Sequence, residues 1–189
     1  SSTSETEALI MAVEQAILGG ATMVQFREKE LTGAQLEQDA RAVQAVCRKH
    51  GVPFIMNNDV DLAQKLDADG VHVGQSDMPA KIIGVTARTV AEAQAAEAAG
   101  ADYLGSGAVF GTSTKHDAKT MPLETFRAIT ASVQIPVVAI GGISAANAGG
   151  LKSPGAAGLA VVSSLFGAAD ITEAAQALRA IADEVVADR

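Results

Sequence analysis

The sequence predicts an α/β chain, a parallel sheet covered by helices, and within that class a (β/α)8 barrel, the TIM-barrel architecture. Three observations carry this expectation. Short apolar segments of strand length alternate along the chain with longer segments of helical period. The strand segments are apolar at both alternating positions, as strands buried on two faces must be. Polar residues gather just after many different strands, whereas an open doubly wound sheet concentrates its site at one switch point.

The chain begins with a helical stripe of Leu9, Val13 and Ile17, and Ser4-x-x-Glu7 has the form of a capping box. A strand at Met23–Arg27 precedes a second helix, marked by Leu36, Ala40, Val43 and Cys47. Strands then fall at Pro53–Met56, Val71–Val73, Ile82–Val85 and Tyr103–Val109. Phe126 and Ile129 mark a further helix, strands at Val137–Ile140 and Leu159–Val162 follow, and Leu178, Ile181 and Val185 mark the last helix. Gly19-Gly20-Ala21, Ala68-Asp69-Gly70, Gly100-Ala101-Asp102 and Gly155 to Gly158 read as the turns that end helices before strands.

Two features depart from a complete barrel. Seven strands are visible and a helix comes first, so the strand that should precede it is missing. Only Gly74 to Lys81 separate the strands ending at Val73 and starting at Ile82, and a parallel crossover with its helix needs at least ~10–12 residues. The expectation is a string that joins segments of a longer chain, lacking a first strand and one crossover helix, with a break near Ala80–Lys81. An intact mass matching the 189-residue string would refute it.

The chain is read as one domain over residues 1–189. Its 14 Lys+Arg against 22 Asp+Glu give a net charge of −8, which argues against nonspecific nucleic-acid binding but not against a small anionic ligand held by local cations. Cys47 is the one cysteine, so there is no internal disulfide and no multi-cysteine metal site, and its helical spacing reads as a buried thiol. Neither a signal-peptide pattern nor an apolar run of about 18 residues is present, so a soluble cytoplasmic protein is expected.

Gln25-Phe26-Arg27-Glu28-Lys29 places Gln25, Arg27 and Lys29 on one face if the strand continues, and two cations with an amide suit a diphosphate. A solvated charged turn is the alternative. Asn57-Asn58-Asp59 and Gly74-Gln75-Ser76-Asp77 offer oxygen ligands at neighbouring strand ends that suit Mg2+, or simply turn chemistry. Gly111 to Asp117 form a long small-residue loop whose hydroxyls, N–H groups and Lys115 could cradle a phosphate. Gly141-Gly142 and Val162-Ser163 follow the last two strands, where barrel enzymes often bind phosphate. Of the histidines, His50 complements a helix C-terminus, His72 is as much a layer residue as a site residue, and His116 lies in the long loop.

Together, Gln25 to Lys29, Gly70 to Asp77, Thr112 to Lys115 and Val138 to Ile143 resemble the thiamine-phosphate synthase family over about Val13 to Phe166. The resemblance implies Mg2+-dependent coupling of 4-amino-2-methyl-5-hydroxymethylpyrimidine diphosphate with 4-methyl-5-(2-hydroxyethyl)thiazole phosphate, giving thiamine phosphate and pyrophosphate. It implies a dissociative course, in which pyrophosphate leaves, the aminopyrimidine stabilises a methylene cation, and the thiazole nitrogen captures it. It assigns Gln25, Arg27, Lys29 and Asn57 to the pyrimidine diphosphate, Lys115 to the leaving pyrophosphate, and Asp77 to the metal. Thr112, Thr114, Gly142, Val162 and Ser163 would hold the thiazole phosphate. Thr86 stands where the family usually has serine on the pyrimidine side, and Asn58 where it has a second magnesium carboxylate. The partners implied are small molecules, and a homo-oligomer is compatible with the pattern. Two rivals stand beside this reading: a thiazole tautomerase on the same barrel, and a non-catalytic barrel that binds thiazole phosphate or thiamine phosphate.

Overall fold

The computed structural model describes residues 2–74, 81–111, 120–152 and 154–187. A helix α1 (Ser2–Leu18) leads into strand β1 (Val24–Phe26), followed by α2 (Gly33–His50), β2 (Phe54–Asn57), α3 (Val60–Leu66) and β3 (Gly70–Val73). Then come β4 (Ile83–Thr86), α4 (Val90–Ala98), β5 (Tyr103–Gly107), α5 (Leu123–Ser132) and β6 (Val137–Ile140). A single 3-10 turn at Ala148–Leu151, β7 (Gly158–Ala160), a short α6 (Ser163–Phe166) and α7 (Ile171–Ala187) complete it.

The seven strands form one sheet in sequence order, every neighbouring pair parallel. Each segment read as a strand is one, with ends shifted by up to two or three residues and β6 at the bounds expected. The capping box is not formed: α1 already runs at Ser4, so that residue lies inside the helix. No helix of the described residues is long and apolar enough to cross a membrane.

Strand alternation divides the side chains between two faces. Phe26, Phe54, Met56, Val71, Val85, Leu104 and Ala139 enter the main core under the helices, with Ala40, Val43 and Cys47 of α2 and Phe126 and Ile129 of α5. Removing a ring as buried as Phe126 from such a core costs about 3–5 kcal/mol. The opposite face carries Gln25, Asn57, His72 and Thr86.

The ends of the chain meet on the helix side. α1 packs against both α2 and α7. Gly19 lies so close to α7 that a Cβ there would sit 2.3 Å from the Ala175 Cβ and 2.6 Å from the Thr172 carbonyl oxygen. Lys49 and His50 of α2 both reach Glu14 Oε1 of α1, at 2.7 and 2.8 Å. The hydrogen bonds from Lys49, the largest cause, and His50 hold the Glu14 carboxyl below its usual value.

β3 and β4 are parallel neighbours, with Val71 paired to Ile83 and Val73 to Val85, although only residues 74–82 lie between them. No helix occurs there among the described residues, and residues 75–80 lie outside them. The element order therefore has neither a strand before α1 nor a helix between β3 and β4 among the described residues.

Candidate active site

Because all seven strands run the same way, their C-terminal ends line one edge of the sheet. Gln25, Arg27, Lys29, Asn57, Asn58, Thr86, Gly142, Val162 and Ser163 all lie within three residues of such an end. Asp77, Thr112, Thr114 and Lys115, with Gln75 and His116, fall outside the described residues.

At the β1 edge, the expected alternation breaks before Lys29. The strand ends at Phe26, and the Glu28 carboxylate Oε1 accepts from the backbone N–H groups of Lys29 and Glu30, both at 2.6 Å. A carboxylate that gathers successive N–H groups makes a turn, so Lys29 does not share a strand face with Gln25 and Arg27. The Glu30 N–H is the main reason the Glu28 carboxyl sits below its ordinary value. Among the described residues neither Arg27 nor Lys29 makes an ion pair, and both are exposed.

β2 ends at Asn57, and Asn58 turns the chain with φ +62°, a left-handed conformation that asparagine tolerates better than most residues. The Asn58 N–H donates to the His72 carbonyl at 2.9 Å, which ties this turn to β3. Asp59 then caps α3: its Oδ1 accepts from the Leu62 N–H at 2.9 Å. One oxygen of that carboxylate is thereby engaged. Glu28, Asn57, Asn58, Asp59, Val60 and Asp61 line a cavity of about 440 Å³ that is open to solvent. No cluster of three or more His, Cys, Asp or Glu side chains suited to a metal occurs among the described residues.

The inward face of β3, β4 and β5 holds a row that sequence reasoning did not assemble. His72, Gly84 and Tyr103 are in register across three strands. The Tyr103 ring crosses Gly84 to reach His72, so that a Cβ at Gly84 would lie 2.2 Å from Tyr103 Cζ. Tyr103 Oη stands 3.0 Å from His72 Nδ1, and Thr86 Oγ1 stands 3.0 Å from His72 Nε2. Burial pushes the Tyr103 phenol up to about 12, opposed by a hydrogen bond from the Gln25 side chain. His72 thus lies on the same inward face as Gln25 and Thr86, buried, with side-chain partners at both ring nitrogens. The missed signal was Tyr103 itself, the one tyrosine of the chain, on the same strand face as Gly105 and Gly107.

At the other side of the edge, Ile140 pairs with Ala160, which puts the chain segments after β6 and β7 side by side. Gly141 and Gly142 have φ of +98° and +66°, and a Cβ on Gly142 would lie 2.1 Å from the Gly111 carbonyl oxygen. Only glycine fits both that backbone and that approach. Asn147 clamps the turn, its Nδ2 donating to the Gly142 carbonyl at 2.9 Å and its Oδ1 accepting from the Ser144 N–H at 2.8 Å. Ser164 Oγ donates to the Ile143 carbonyl at 2.7 Å, fastening α6 to the β6 turn. Val162 is half exposed, just before α6 begins at Ser163.

Comparison with known proteins finds relatives that match most of the chain. The family model described as thiamine monophosphate synthase matches residues 1–165. A protein of Ruminiclostridium cellulolyticum named thiamine-phosphate synthase is 48% identical, covering 92% of this chain and 87% of the relative. One of the same name from Chloroflexus aurantiacus is also 48% identical, covering 89% and 83%. The structure of a thiamine phosphate pyrophosphorylase from Pyrococcus furiosus superposes with a TM-score of 0.85 at 39% identity, covering 93% of this chain and 90% of that one. On a match that spans most of the chain, it belongs to the thiamine monophosphate synthase family.

Proposed function

We propose that the chain is a thiamine-phosphate synthase, joining 4-amino-2-methyl-5-hydroxymethylpyrimidine diphosphate to 4-methyl-5-(2-hydroxyethyl)thiazole phosphate. The observation that carries the reading is family membership along nearly the whole chain. The gathering of Gln25, Arg27, Asn57, Thr86 and Gly142 at one sheet edge supports it.

In the reaction, the C–O bond to the diphosphate breaks, pyrophosphate departs with the electron pair, and the thiazole nitrogen forms the new C–N bond to the pyrimidine methylene. The protein needs clamps on departing charge more than it needs a general base. Arg27 and Lys29, free of ion pairs among the described residues, hold the diphosphate, and Lys115 steadies it as it leaves. Gln25, Asn57 and Thr86 orient the pyrimidine ring. Gly142, Val162 and Ser163, on the paired ends of β6 and β7, take the thiazole phosphate with Thr112 and Thr114. Exclusion of water at that edge keeps the cation for the thiazole nitrogen.

The oxygen donors at the end of β2 suit a hard cation such as Mg2+, which takes one or two carboxylates together with phosphate oxygens. Asn58 and Asp77 would hold it, and when bound it supplies neutralisation of the diphosphate charge. Asp59 is the weaker candidate, because one of its oxygens caps α3.

We assign the chain to the (β/α)8 barrel class, with seven parallel strands among the described residues, as one domain, a cytoplasmic enzyme acting on small phosphorylated substrates. The packing of α1 between α7 and α2 supports a helix layer that closes around such a barrel.

The test is formation of thiamine phosphate from the two substrates, read as thiochrome fluorescence, with excess Mg2+ and with EDTA. Mg2+-dependent product is expected. No product at any Mg2+ level, from protein of verified mass, would refute the synthase.

A further inference from the structure

We propose that Asn147 is a positioning residue that keeps three successive backbone N–H groups, those of Gly141, Gly142 and Ile143, turned toward the phosphate of the thiazole substrate. This rests on the functional reading above and deepens it, from which segments meet the phosphate to what holds them in shape for it.

Four consecutive carbonyl groups of the turn after β6 are each occupied. Ile140 O accepts from the Val109 N–H and Gly141 O from the Phe110 N–H, both at 3.0 Å. Gly142 O accepts from Asn147 Nδ2 at 2.9 Å, and Ile143 O accepts from Ser164 Oγ at 2.7 Å. The first two donors belong to the backbone that follows β5, and the last two are side chains. The sense of these bonds is fixed by their partners. A carbonyl can only accept, so the Asn147 amide nitrogen must donate. The other end of the same amide agrees, because Oδ1 accepts from the Ser144 N–H at 2.8 Å.

A trans peptide points its C=O and the following N–H in opposite senses. With their carbonyls drawn to Val109, Phe110 and Asn147, the Gly141, Gly142 and Ile143 peptides turn their N–H groups away from those partners. None of the three N–H groups finds an acceptor among the described residues. Ile143 is only 4% exposed, so bulk water has little access to its N–H. Buried backbone N–H groups are nearly always paired, so this row calls for an acceptor from outside the chain. Successive N–H groups on such a turn form a concavity that suits an anion.

Two glycines in succession, at φ +98° and +66°, let the backbone reach this shape but do nothing to keep it. Asn147 supplies the hold. Releasing the Gly142 carbonyl leaves the Gly142–Ile143 peptide plane free to rotate, and its N–H free to turn elsewhere.

The experiment is steady-state kinetics of thiamine phosphate formation by the full chain, as wild type and Asn147→Ala, with inorganic phosphate as a competitor of the thiazole phosphate. Asn147→Ala should raise the thiazole phosphate KM by about tenfold or more, the worth of a hydrogen bond to a charged acceptor. The inhibition constant of inorganic phosphate should rise by a similar factor, which assigns the loss to the phosphate rather than to the thiazole ring. The pyrimidine diphosphate KM and kcat should stay within about twofold of wild type. A purely structural asparagine would move both KM values together, and that result overturns the proposal. An unchanged thiazole phosphate KM overturns it equally. Should Asn147→Ala not fold, Asn147→Ser keeps one polar atom at the turn but lacks the reach to bond both Gly142 and Ser144. An unchanged thiazole phosphate KM in that variant overturns the proposal too. A wild type that forms no thiamine phosphate overturns the functional reading and this assignment with it, whereas an active wild type matched by its variants overturns only the assignment.

Discussion

Gly84→Ala isolates the packing on which the inward row depends. The added methyl would meet Tyr103 Cζ at 2.2 Å and Oη at 2.4 Å. Carbon contacts settle near ~3.5–4.0 Å, so the ring must retreat by more than an ångström. Tyr103 Oη begins 3.0 Å from His72 Nδ1, and a retreat of that size takes it out of hydrogen-bond range. Overpacking costs about 1–3 kcal/mol and one lost hydrogen bond about 1 more, for a destabilisation of about 2–4 kcal/mol. The backbone effect of replacing glycine at an ordinary φ works the other way, by about 0.4–1 kcal/mol, so the net loss is charged to the ring. With a urea slope of about 2 kcal/mol per M, the unfolding midpoint falls by roughly 1–2 M at constant slope. Gly149→Ala is the control, because a Cβ there meets nothing within 4 Å. In a Tyr103→Ala background the three nearest obstacles are gone, and the cost of Gly84→Ala should largely vanish. A Gly84→Ala midpoint equal to wild type would refute the reasoning, since it would mean the Tyr103 ring does not cross Gly84 in solution.

Asn58→Asp restores a negative charge in a left-handed position that aspartate also tolerates, and should lower the Mg2+ concentration giving half-maximal thiamine phosphate formation; an unchanged requirement removes Asn58 from the metal site. Glu14 carries a carboxyl below its ordinary value of 4.5 because Lys49 and His50 bond it. A depressed folded value means that the tie between α1 and α2 is present above the unfolded value and is lost as pH falls through the folded one. An NMR titration should place the Glu14 midpoint below 4.5 and Lys49→Ala should raise it; a midpoint at 4.5 in both would dissolve the link. Burial pushes the Cys47 thiol up to about 11, so a thiol reagent at pH 8 should leave the native chain unmodified and label it fully in urea. Rapid labelling of the native chain would show that α2 does not cover Cys47 as described. Arg27→Ala should raise KM for the pyrimidine diphosphate by about tenfold or more while leaving the thiazole phosphate KM close to wild type.

Much of this molecule follows from local pattern. The continuous apolar run Val137–Ile140 predicts a strand, and the stripe of Ala40, Val43 and Cys47 predicts a helix and the face it buries; the structure places Val137, Ala139, Ala40, Val43 and Cys47 in the core. The concentration of polar residues after β1, β2, β4, β6 and β7 was also legible, because a parallel sheet brings every strand end to one edge whatever its curvature. Where the pattern misled, a local hydrogen bond was responsible. The Glu28 carboxylate draws the N–H groups of Lys29 and Glu30 into a turn, so period-two counting fails three residues after β1.

What the sequence by itself determined is therefore the class of fold, the order and approximate bounds of its strands, and the family to which the chain belongs. Tertiary structure alone decided which inward residues meet. His72 and Tyr103 are 31 positions apart in the chain, and their contact exists because register aligns them on either side of a strand that has only Gly84 between. Period-two alternation states that a side chain points inward but is silent on the stagger between strands, and stagger is set by the packing of the whole sheet against its helices.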